Sequence, residues 1–175
     1  MKRLVGLVAM LAVGSVGCSK SSTSPSNTSP TKPTFTADLR PANEVPPITN
    51  AESTGSGTAT ITFDTTKDAA GNITSATVTF VVNLQGFPPG TPFNIAHIHE
   101  GASTCACPVV VNTTLAASEG LTAANGSASF TKAGIAVNPP ELAQRIINSP
   151  AGFYFNVHST LNPGGVARGQ LVKVQ

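Results

Sequence analysis

At 175 residues the chain has room for one domain, and 10 basic against 8 acidic residues leave it almost uncharged. There is no basic run and no tryptophan, and Tyr154 is the only tyrosine, so a nucleic-acid surface is excluded as a reading.

Residues 1–17 read as a signal peptide. Lys2 and Arg3 give a positive start, residues 4–13 are apolar, and the small residues Gly14, Ser15 and Gly17 precede Cys18. The apolar run is too short to span a bilayer. Ser15-Val16-Gly17-Cys18 resembles the lipobox of bacterial lipoproteins, in which the cysteine sulfur carries a diacylglycerol; that family usually has leucine where Ser15 stands. The other reading is ordinary cleavage nearby with an incidental cysteine. A lipoprotein's several acyl chains make a stable membrane anchor, which a single chain does not. Residues 18–34 are then the lipidated cysteine and a Ser/Thr/Pro tether that buries no apolar surface and stays disordered. The folded domain is expected over 35–175. Once Lys2 and Arg3 are removed, 8 of the 10 basic residues remain against 8 acidic ones, a net charge of zero.

Within the domain, Phe35, Ala37 and Leu39 alternate with polar neighbours, as do Ala59, Ile61 and Phe63. Ala76, Val78, Phe80, Val82 and Leu84 make the longest such series. Residues 67–72 read as the hairpin loop between the last two, with Gly71 and Asn72 suited to positive φ. Further strands are expected at 93–99, 108–112, 127–131, 153–158 and 166–174. One helix, 139–148, has Asn138 as its expected N-cap, Pro139 in its first turn and Glu141 three residues after the cap. Short strands, many glycines and prolines and a single helix predict an all-β fold, an immunoglobulin-like or Greek-key antiparallel β-sandwich.

All three histidines lie in two short stretches. His97 and His99 are two apart, so in a strand they share a face. In the second stretch Phe153, Phe155 and Val157 form an apolar stripe, which leaves Tyr154, Asn156 and His158 on the opposite face. If the two strands are neighbours, three neutral imidazoles converge, a set that suits copper or zinc. The competing reading is structural, with His97 bonding a loop carbonyl and His158 bonding Glu100 or Asn156. Arg168 has two readings as well: orienting an anion or carboxylate beside the histidines, or, more commonly for a lone arginine, forming a buried ion pair that fixes a loop. Glu44-Val45-Pro46-Pro47 reads as a rigid loop with Val45 packed inward.

Four separated stretches resemble a CHRD domain, the module named after its occurrence in chordin. They are Phe-Thr-Ala-Asp-Leu-Arg-Pro-Ala-Asn-Glu-Val-Pro-Pro at 35–47, Ala-His-Ile-His-Glu-Gly at 96–101, Gly-Phe-Tyr-Phe-Asn-Val-His-Ser at 152–159 and Asn-Pro-Gly-Gly-Val-Ala-Arg-Gly-Gln-Leu at 162–171. Where Val166-Ala167 stand, that family typically has a pair such as Glu-Ile. The resemblance implies an immunoglobulin-like β-sandwich, often secreted or surface-attached, with no established general activity. The His-x-His-Glu pattern at 97–100 is also loosely similar to the copper strand of copper/zinc superoxide dismutases. The two-metal site of those enzymes needs more imidazoles than the three in this chain.

Cys105 and Cys107 follow closely. They read first as a local disulfide in an oxidising compartment, second as soft ligands beside His97 and His99, third as free thiols. The resemblance gives the metal reading of the cysteines no support, since this loop is usually glycine-rich and cysteine-free in the family. No catalytic triad, phosphate loop or telling carboxylate pair is present. The expectation is a lipid-tethered extracytoplasmic module, on the outer membrane or cell surface by preference. It binds a protein or matrix partner without catalysis, and its His97/His99/His158 cluster is a candidate copper or zinc site. The alternatives are a mononuclear copper redox protein and a purely structural envelope lipoprotein.

Overall fold

Period-2 patterning carries most of this architecture, because each strand buries one face against the opposing sheet. The computed structural model describes Met1 and residues 31–175. The expected signal peptide, Cys18 and most of the tether lie outside the described residues.

Nine strands form two antiparallel sheets: β1 (Thr34–Leu39), β2 (Ser56–Lys67), β3 (Ile73–Gln85), β4 (Phe93–Glu100), β5 (Val109–Asn112), β6 (Ala128–Ala136), β7 (Phe153–Ser159), β8 (Ala167–Gln170) and β9 (Val172–Lys173). One sheet has the order β6-β3-β2-β1-β9 and the other β5-β4-β7-β8. The chain crosses between the sheets after β3, β5, β6 and β8. The all-β sandwich expected from the alternation is the observed fold.

The core fills the space between the sheets. Phe35, Ala37 and Leu39 of β1, Ala59, Ile61 and Phe63 of β2, and Val78, Phe80 and Val82 of β3 meet Phe93, Ala96 and Ile98 of β4 and Phe155 and Val157 of β7, all buried. Phe80 and Phe155 pack across the interface with ring centroids 5.6 Å apart, and Phe35 meets Phe63 edge-on at 5.9 Å. Each such ring contributes about 1.5–3 kcal/mol by leaving water. The helix α1 (Pro140–Asn148) lies against β3 through Leu142, Ala143 and Ile146.

Several expectations needed correction. Pro139, not Asn138, stands at the helix cap, and no side chain caps it. The Pro139 side chain has no acceptor for the N–H groups of the first turn, and Pro140 at the first helical position has no N–H to leave unpaired. In the β2–β3 loop Gly71 takes φ +88°, whereas Asn72 has no positive φ; its N–H and side-chain amide are held by Asp68. Val45 is exposed rather than packed inward. The run at 166–174 is not one strand. It splits around buried Leu171, and its two halves pair in different sheets. Beyond α1, helical structure among the described residues is limited to four short 3₁₀ turns, and no helix there is long and apolar enough to cross a membrane.

Candidate metal centre

Every residue of β7 is buried, whichever way it points. Phe153, Phe155 and Val157 enter the sandwich core, and Tyr154, Asn156 and His158 face outward. Strand register sets the outer rows. His97 of β4 lies opposite Asn156, which lies opposite Arg168 of β8; His99 lies opposite Tyr154, which lies opposite Gln170. His158 stands diagonal to His97, within reach across the strand pair.

An outer sheet face usually meets water. This one is covered by three loops. Arg168 Nε and Nη2 donate to Glu44 Oε2 at 2.6 Å, which pins the loop after β1, and both side chains are only 3% exposed. Arg168 Nη1 donates to the Cys105 carbonyl at 2.8 Å, and the Tyr154 hydroxyl donates to the same carbonyl at 2.9 Å. Cys105 and Cys107 are joined by a disulfide. The third loop, after β7, is tied down by buried Glu52, whose Oε2 accepts from Ser159 Oγ and Asn162 Nδ2.

Under these loops the three histidines converge. Their ligand atoms all lie within 4.8 Å of one another. The Nε2 atoms of His97 and His158 are 2.8 Å apart. His158 Nδ1 lies 2.8 Å from the Pro163 carbonyl and His99 Nδ1 2.5 Å from the Cys107 carbonyl. A carbonyl only accepts, so both rings carry Nδ1–H and present a bare Nε2. His97 Nε2–H must then donate to His158, and a metal ion would take the place of that hydrogen. His99 Nε2 is buried with no protein partner. Tyr154 stacks on the His99 ring at 4.5 Å and 6°, and the Arg168 guanidinium lies over the Tyr154 ring, 4.9 Å from its centroid.

Burial disfavours the imidazolium form throughout. It pushes His97 down to about 3, with help from the neighbouring His158 and His99. His99 and His158 are also held below the ordinary histidine value by burial, which outweighs their carbonyl hydrogen bonds. Burial moves Glu44 the other way, upward, against the pull of Arg168. All three imidazoles are therefore neutral at physiological pH and can offer lone pairs.

The set fits one ion. Tetrahedral bonds of about 2.0–2.1 Å place ligand nitrogens about 3.4 Å apart. Side-chain rotations must then close a pair at the 4.8 Å limit by about 1.4 Å and open the 2.8 Å His97–His158 pair by about 0.6 Å. All-imidazole donors with no carboxylate suit copper or zinc better than a hard cation.

The CHRD domain family model matches residues 35–171. The chain belongs to the CHRD family. Comparison with curated proteins and with solved structures found no significant match.

In this CHRD domain the sequence-predicted residues do not all meet. His97, His99, His158, Asn156 and Arg168 share the covered outer face, whereas Glu100 turns away and pairs with Arg145 of α1 at 2.9 Å near the surface. Histidine contacts differ from the structural pairings expected: His97 meets His158 rather than a loop carbonyl, and the Pro163 carbonyl rather than Glu100 or Asn156 holds His158. Arg168 forms the buried, loop-fixing ion pair that was its commoner reading; that Glu44 is its partner, and that Tyr154 stacks on His99, were not read from the sequence. The alternation of β7 does place Tyr154 on the histidine face, so that signal was present. Nothing local in the sequence marks Pro163 or Cys107 as the residues whose carbonyls accept from the histidine rings.

Proposed function

We propose that this CHRD domain is a non-enzymatic binding module held outside the cytoplasmic membrane by lipid on Cys18, and that His97, His99 and His158 hold one copper or zinc ion. The observation that carries the metal reading is the convergence of three buried imidazoles whose ligand atoms lie within 4.8 Å, two of them with Nδ1 fixed by backbone carbonyls. Metal-binding histidines are typically oriented in this way, with the second ring nitrogen held by a carbonyl or carboxylate. The shortage of imidazoles for a two-metal centre supports binding over dismutase-type chemistry. Cys18 and the polar segment after it support a position near a membrane, where a protein or matrix partner is accessible.

Metal content of the purified full chain after reconstitution with copper and, separately, zinc tests the site. One equivalent is expected for the wild type, with loss in His97→Ala and His158→Ala. Sub-stoichiometric copper and zinc in the wild type overturns the metal reading. Cys18→Ser should move the protein from the membrane fraction to the soluble fraction, and continued membrane retention would argue against lipidation.

A further inference from the structure

We infer that the Cys105–Cys107 disulfide is a site of reversible thiol–disulfide exchange: its oxidised form locks His99 in the metal-ready orientation, and its reduced form releases it. The effect on metal rests on the proposed three-histidine site; the effect on His99 itself does not.

The position of the bridge supports this. Cys107 supplies the carbonyl that holds His99 Nδ1, and among the described hydrogen bonds it is the only partner of that ring, because Nε2 has none. The Cys107 N–H donates to Tyr154 Oη at 3.2 Å, and Tyr154 stacks on the His99 ring. Cys105 supplies the carbonyl that accepts from both Tyr154 and Arg168. The bridge thus spans the two carbonyls to which the polar layer is fastened. It also packs on the chain just beyond His99, where a Cβ at Gly101 would collide with both sulfurs and φ is +143°.

A disulfide that only stabilises a fold gains most by closing a long loop. Here one residue separates the cysteines, among the shortest loops that can be closed, so the consequence of the bond is local. Both cysteines are half-buried and Ala106 between them is exposed, which gives a reductant access. The reductant is a dithiol. Its thiolate attacks one sulfur and forms a mixed disulfide, and its second thiol displaces the protein sulfur. Two electrons and two protons pass to Cys105 and Cys107, and the dithiol leaves as a disulfide. The loop is then free to withdraw the Cys107 carbonyl from His99. His158 is held from a different loop, by Pro163, and supplies an internal control.

Two readouts on the full chain test the inference. Imidazole ¹⁵N shifts of the metal-free protein should show a fixed Nδ1–H tautomer at His99 when oxidised and a tautomer mixture after reduction by dithiol, with His158 unchanged. Zinc affinity, measured by competition with a chromophoric chelator after anaerobic removal of the dithiol, should fall about 10–100-fold on reduction, the usual effect of losing a residue that orients a ligand. The Cys105→Ser/Cys107→Ser variant should match the reduced protein without loss of fold. In His99→Ala, oxidised and reduced protein should bind zinc equally. An unchanged His99 tautomer overturns the inference, as does tighter zinc binding on reduction, which would make the sulfurs ligands. A bridge that resists the dithiol also overturns it. If neither redox form binds zinc, the metal reading fails, and the His99 shifts alone decide the lock.

Discussion

The two faces of β7 are equally buried and chemically opposite. Inward, Phe153, Phe155 and Val157 meet the core of the sandwich; outward, Tyr154, Asn156 and His158 meet loops. The inner face needs only apolar shape, since dispersion and the hydrophobic effect are non-directional. The outer face removes dipoles and charges from water, so each group needs a partner of defined geometry. Most have one: Arg168 has Glu44 and Tyr154 has Cys105. Among the described residues five buried side-chain atoms have none, and all but Asn94 Oδ1 (His99 Nε2, Glu44 Oε1 and both atoms of the Asn156 amide) lie on this face or in the loop that covers it. Equal burial on both faces therefore hides a difference in purpose. The inner face holds the sheets together, and the outer face holds a constellation.

The strongest way to break the comparison is to weaken each face at its centre. Phe155→Ala should cost about 3–5 kcal/mol, as a fully buried ring against Phe80 is replaced by a cavity. Urea unfolding reads this as a lower midpoint with an unchanged slope. Phe155→Leu should restore a large part, because an apolar site accepts any apolar group of similar volume. On the outer face Arg168→Met should cost a comparable 3–5 kcal/mol, about the effect of leaving a buried carboxylate unpaired. Here a second apolar group is what restores stability: Arg168→Met/Glu44→Leu should be more stable than Arg168→Met alone. If that double variant is no better than the single one, the outer face is not limited by uncompensated polarity.

Protonation separates the faces next. The unfolded chain protonates its histidines near pH 6.5, while burial holds all three below that in the fold, His97 down to about 3. As pH falls below 6.5 the unfolded state binds more protons than the native state, so stability drops. The histidine contribution is intact above pH 6.5 and is lost progressively toward the low His97 value. Each histidine adds at most about 1.4 kcal/mol per pH unit to the slope. Glu44 has the opposite sign: its pKa is raised, so its contribution is complete below its ordinary value of 4.5 and is lost as pH rises through the folded value. Urea midpoints between pH 7.5 and 4 should give a flatter profile for His97→Gln than for the wild type. Identical profiles would mean that His97 is not held neutral by burial.

The same contrast explains what was legible in the sequence. The inner face repeats every second residue, and a repeat of Phe35-Ala37-Leu39 or Phe153-Phe155-Val157 needs no knowledge of the partner strand. Alternation also assigns His97, His99 and His158 to outward faces. That the two histidine strands are neighbours could only be supposed, because strand order comes from chain crossings with no local signal. The covering was less legible still. Glu44 reaches Arg168 across 124 residues, and carbonyls of Pro163 and Cys107 act through backbone atoms that every residue type possesses. The helix cap failed for a local reason, since Pro139 took the position that composition assigned to Asn138.

Asn156 gives the finest test. It is 1% exposed, it lies between His97 and Arg168 in register, and neither its oxygen nor its nitrogen has a protein partner. A buried side chain kept for stability would have its hydrogen bonds made; removing an amide that has none forfeits little, and an apolar group of similar volume avoids its desolvation. Asn156→Leu should therefore change the unfolding free energy by no more than about 1 kcal/mol, with stabilisation as the favoured direction. Its neighbour Phe155, one residue away on the other face, is several-fold more costly to remove. A loss above about 2 kcal/mol in Asn156→Leu would show that the amide belongs with the structural residues, and the distinction between the two faces would then stop at the histidines.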